Sequence, residues 1–77
     1  MSTPLDRVPF GMPVRVVAAE SPVDLARRLA ELGLRPGAVV RCLHRTAGGG
    51  RVLDVGGARI ALGRTVLRAV TTEPAAP

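Results

Sequence analysis

Ser21-Pro22-Val23-Asp24-Leu25-Ala26-Arg27-Arg28-Leu29-Ala30-Glu31-Leu32-Gly33-Leu34-Arg35-Pro36-Gly37-Ala38-Val39-Val40 decides the fold. Ser21 is an N-cap residue, Pro22 suits the first helical position, and Asp24 completes an S-x-x-D capping box. Leu25, Leu29 and Leu32 follow at i, i+4 and i+7 on one stripe, widened by Ala26 and Ala30. Arg27, Arg28 and Glu31 take the opposite side, and Asp24 precedes Arg28 by four residues in the favourable order. Gly33 supplies the left-handed residue that ends a helix, and Pro36 prevents a restart. Gly37 then opens a β-branched run. The stretch therefore predicts a helix turned sharply into a strand, with the leucine stripe in the core.

Working outward, Val14 to Ala19 predicts a half-buried strand bounded by Pro13 and Ser21-Pro22, with Arg15 its only charged residue. Leu5, Val8 and Phe10 read as a lead-in packed on the domain. On the other side, Ala38 to Arg45 predicts a strand and Thr46 to Gly50 a glycine-rich mobile loop or turn. Arg51 to Val55 and Ala58 to Leu62 predict a hairpin closed by Gly56-Gly57. Gly63 to Val66 fits one helical turn, and Leu67 to Thr72 a last strand. Five short strands at this spacing predict a mainly β domain, an antiparallel sheet curled into a small barrel and capped by one α-helix. Residues 1–4 read as a flexible N-terminus, 5–72 as the domain, and 73–77 as a flexible Pro/Ala tail.

Composition narrows the function. Seventy-seven residues allow one domain with a modest core and little room for a deep cleft. The 47% hydrophobic content is almost all Ala, Val, Leu and Ile, with Phe10 the only aromatic residue, which suits a narrow barrel interior. No apolar stretch reaches the about 18 residues of a spanning helix. The N-terminus has no apolar h-region, so no signal peptide is expected. One lone thiol, Cys42, fits a cytoplasmic setting.

Catalysis has little to work with. Cys42 and His44 stand two apart on one strand, hence on one face, and form the sole nucleophile–base pair worth testing. No acid lies near enough in sequence to orient His44, and Cys42 sits in an apolar run where a buried thiol is the usual outcome. No enzyme activity is expected. Structural zinc needs about four Cys or His ligands and the chain offers two. The carboxylates Asp6, Glu20, Asp24, Glu31, Asp54 and Glu73 are scattered singly, so neither a metal site nor a cofactor is expected. The glycines of Thr46-Ala47-Gly48-Gly49-Gly50 lack the Lys-Ser/Thr of a phosphate loop and join two strands.

All eleven basic residues are Arg, against six acids, for a net charge of +5. Arg15, Arg41, Arg45, Arg51, Arg59, Arg64 and Arg68 lie on or beside strands, an arrangement able to track a phosphate backbone. Single-strand binders also stack bases on aromatic platforms, and this chain has neither Trp nor Tyr. A solvated arginine surface inflated by coding bias accounts for the charge more simply. Nucleic-acid binding stays as an alternative function, and so does direct transition-metal sensing.

Leu25 to Val40 resembles the central R-x-L-x-x-L-G-L-x-P-G motif of the FeoA family and the β-branched strand that follows it. Leu5 with Gly11 and Val14-Arg15-Val16 is similar to the family's opening L…G…V-x-V. Val55-Gly56-Gly57-Ala58-Arg59-Ile60-Ala61-Leu62-Gly63 resembles its V-x-G-x-x-I-A-L-R hairpin, with Ala69-Val70 in place of the final Ala and strand. Gly63 replaces the usual Arg, which follows one place later as Arg64, and the glycine loop is longer. The resemblance covers about Leu5 to Thr72. It implies an SH3-like β-barrel, also similar to the C-terminal domain of iron-dependent repressors. It implies an accessory or regulatory protein of ferrous iron uptake, working in the cytoplasm on a FeoB-type membrane transporter. On that reading the docking surface joins helix to barrel through Arg27, Arg28, Glu31 and Arg35, with Arg41 and Arg59 as weaker members and Leu34 and Leu43 as candidates for its apolar centre. Self-association through an exposed edge strand stays open.

Overall fold

The computed structural model of the chain describes residues 2–19 and 23–75. Ser21 and Pro22 of the expected capping box lie outside the described residues. The elements run β1 (Thr3–Pro4), β2 (Val14–Ala19), α1 (Val23–Glu31), β3 (Val39–Arg45), β4 (Arg51–Val55), β5 (Ala58–Leu62), α2 (Arg64–Ala69) and β6 (Val70–Pro74). All pairings are antiparallel, in the order β1-β6-β2-β3-β4-β5. The result is a small SH3-like, barrel-like fold of mainly β structure in which no ladder joins β5 to β1 among the described residues.

The core follows from period-two alternation. Val14 and Val16 of β2, Val40 and Cys42 of β3, Leu53 and Val55 of β4, and Val70 of β6 point inward and are buried. Leu29 and Leu34 close one side, each 2% exposed. Burying a leucine or valine of this kind contributes about 1.5–3 kcal/mol. The helix end explains how both leucines get there. Gly33 has φ +98°, its amide donates to Ala30 O at 3.0 Å, and the Leu34 amide donates to Leu29 O at 2.8 Å. This is a Schellman motif, with Leu29 and Leu34 as its apolar contact. A Cβ on Gly33 would stand 2.9 Å from Val55 Cγ1.

Beneath the irregular N-terminal segment, side chains replace a ladder. Its carbonyls face inward and need donors. Arg51 occupies an inward position of β4 and is 8% exposed. Its Nη1 donates to Leu5 O at 3.2 Å and Val8 O at 2.6 Å, and its Nη2 to Asp6 O at 2.7 Å. The guanidinium also stacks over the Phe10 ring, 4.2 Å from its centroid. The Cys42 thiol donates to Leu5 O at 3.6 Å and the Thr72 hydroxyl to Thr3 O at 2.7 Å.

Several expectations need correction. The sheet has six strands rather than five, because Thr3 and Pro4, assigned to a frayed start, pair with Thr72 and Thr71. At the other end, Glu73 and Pro74, assigned to a flexible tail, pair with Arg15 and Val14. The helical turn expected at Gly63 to Val66 runs on to Ala69, so the last strand begins at Val70 rather than Leu67. Thr46 to Gly50 forms a turn, as the sequence allows, closed by the Thr46 amide donating to Gly50 O at 3.0 Å.

Candidate partner-binding surface

The leucine stripe of α1 divides where the helix ends. Leu29 is core and Leu25 is half buried, but Leu32, expected in the core, is 47% exposed. The Schellman turn causes this: it commits Leu29 and Leu34 to the interior, and Leu32 falls on the outer side of the reversal. Leu32, Leu25 and Leu29 line a shallow groove of about 390 Å³, faced by Leu62 of β5 and Val66 of α2. Arg28 and Glu31 complete its lining and are exposed. Val23, on the first turn of α1, is 75% exposed.

The other sequence candidates are spread out. Arg27 and Arg35 are exposed but do not line the groove. Arg41 and Arg59 lie on the outer face of the sheet, where the ladders set each directly opposite Asp54. Leu34 is buried and cannot supply an apolar contact, and Leu43 is half buried. The apolar side chains that line the groove are Leu25, Leu29, Leu32, Leu62 and Val66. Val66 follows Leu62 by four positions but lies beyond the strand, so only knowledge of α2 brings the two together.

Cys42 and His44 do not meet. The β3–β4 register runs Cys42 to Leu53 and then His44 to Val52, so a β-bulge adds one residue between them. It returns His44 to the exterior, where its Nδ1 lies 3.2 Å from Arg45 O, while Cys42 is fully buried. Among the described residues, no three His, Cys, Asp or Glu side chains group as metal ligands. Arg51, counted among the surface arginines, is instead a buried structural residue. The phase of β4 carries that signal: with Leu53 and Val55 inward, Arg51 must also point inward.

A family model, the FeoA domain, matches residues 3–74. A crystal structure of an iron uptake regulatory protein (FeoA) has a TM-score of 0.87 at 28% identity, covering 97% of this chain and 100% of that one. That of Stenotrophomonas maltophilia FeoA complexed with zinc, described as a prokaryotic SH3 domain protein, has a TM-score of 0.77 at 29% identity over 92% of this chain and 89% of that one. A manganese-dependent transcriptional repressor shares the fold at 22% identity, with a TM-score of 0.80 over 96% of this chain and 42% of that one. Among curated proteins, none matches the chain significantly.

Proposed function

The chain belongs to the FeoA family, and on that footing we propose that it is a non-catalytic accessory protein of ferrous iron uptake, docking through the α1 groove on the cytoplasmic, nucleotide-binding part of a FeoB-type transporter. The observation that carries this reading is the exposed Leu32 at a groove lined by Leu25, Leu62 and Val66. Leu32 with Leu25, Leu62 and Val66 gives the groove a contiguous apolar lining next to the charged Arg28 and Glu31. An apolar centre of this kind supplies affinity, while Arg28 and Glu31 steer encounter and orientation. No helix of the described residues is long and apolar enough to cross a membrane.

The test is direct binding of the full chain to the transporter's soluble nucleotide-binding domain. Leu32→Asp is expected to weaken binding about tenfold or more, and Arg28→Glu to slow association. Arg59→Glu, on the outer sheet face, is expected to leave binding unchanged. Folded Leu32→Asp and Arg28→Glu proteins that bind like the wild type would remove α1 from the interface.

A further inference from the structure

A second concavity lies on the other side of α2. Arg64 and Arg68 stand one helical turn apart and face it, whereas Val66 faces the groove already described. Arg45 and Arg51 also line it, the Arg51 guanidinium held by the N-terminal carbonyls, and Gly49 and Gly50 of the turn complete the wall. The cleft has a volume of about 230 Å³. Four arginines therefore line a space with room for one small oxyanion and several waters.

The charge is local and largely unmatched. Away from the cleft, Arg15 pairs with Glu73 at 3.4 Å, and Asp54 stands opposite Arg41 and Arg59 in the ladders. The cleft has one carboxylate, Asp6, whose Oδ2 accepts from Arg68 Nε at 3.3 Å. The buried charge of Arg51 is met only by three carbonyls and the Phe10 face. Neither Arg45 nor Arg64 has a carboxylate partner among the described residues. Uncompensated cations gathered around a partly desolvated space favour an anion.

The glycine run shapes the same space. A Cβ on Gly49 would stand 3.1 Å from Arg64 Cδ, so a glycine here lets the Arg64 stem lie against the turn. At Gly50 the space is filled by Thr46 Oγ1 and Leu62 O, at 2.5 and 2.8 Å from an added Cβ, which fixes the turn against the end of β5.

We propose that this cleft binds a phosphate-class oxyanion, either inorganic phosphate or the terminal group of a small phosphate ester. Guanidinium groups present paired donors that match tetrahedral oxyanions. The geometry disfavours nucleic acid, because the charges line one cleft instead of running along a track. The single aromatic ring, Phe10, is already covered by Arg51 and approached by Arg45 at 5.8 Å. The proposal is independent of docking through the α1 groove.

The experiment is an NMR titration of the isotope-labelled full chain with inorganic phosphate, at ionic strength held constant with chloride. A second arm uses glycerol phosphate. Saturable shifts are expected in the amides of 46–51 and 64–68. Arg45→Gln and Arg64→Gln, both at exposed positions, are each expected to weaken binding about tenfold, the usual effect of losing a charge-assisted hydrogen bond. Arg59→Gln is expected to change nothing. Saturation by glycerol phosphate as well would assign the ester, and saturation by phosphate alone the free ion. Shifts that grow linearly without saturating, or saturable binding untouched by Arg45→Gln and Arg64→Gln, would overturn the site. So would single-stranded RNA binding more tightly than phosphate with equal dependence on Arg59.

Discussion

Arg51 shows how one side chain can replace a length of ladder. Its guanidinium satisfies three main-chain carbonyls of the N-terminal segment and covers the Phe10 ring. Arg51→Met keeps the apolar stem but leaves those acceptors unmet, at about 1–3 kcal/mol each. We expect a loss of at least about 3 kcal/mol in urea denaturation, a large part of the stability of so small a domain. Arg51→Lys is expected to recover only a fraction, because an ammonium lacks the planar fork that reaches three acceptors at once. A stability change near zero for either variant would show that water meets these carbonyls equally well. Gly33 is the other decisive single residue. Gly33→Ala adds a Cβ at positive φ and within 2.9 Å of Val55 Cγ1. Strain of this kind costs about 1–3 kcal/mol, to be read as a lowered thermal midpoint.

At the scale of elements, legibility in the sequence tracks how local the determining physics is. The helix with its glycine stop, the strand at Val14–Ala19 and the hairpin at Arg51–Leu62 rest on neighbours within a few residues, and they stand where the sequence puts them. The errors arise where distant packing overrides local preference. Leu67, Arg68 and Ala69 lead into the strand residues Val70 to Thr72 and read as part of that strand, yet the helix runs on to Ala69 and buries Leu67 at 0% exposure. Thr3 and Pro4 carry no strand signal of their own and are ordered by β6, almost seventy positions away. The bulge between Cys42 and His44 breaks strict alternation, so reading a shared face from spacing fails there. The candidate docking surface was half legible. Arg28 and Glu31 followed from the helical wheel, but Leu32 was assigned to the interior because the reversal after Gly33 was not carried through to the residue before it.

The molecule as a whole depends on its beginning meeting its end. Leu5 and Val8 belong to the common core, and β1 pairs with β6. Deleting residues 1–10 would strip two core side chains, remove a strand and orphan the Arg51 charge. We expect loss of the cooperative thermal transition followed by circular dichroism; a truncated protein as stable as the full chain would show that the segment merely decorates the fold. The strand order β1-β6-β2-β3-β4-β5 has a temporal consequence. The last strand to be synthesised lies between the first two, so β1 and β2 emerge from the ribosome without the backbone that joins them. Until β6 is available, β1 and β2 lack the strand that pairs with both. The sheet is therefore completed only by its last strand, and the segments before it expose apolar faces that a chaperone could shield until then.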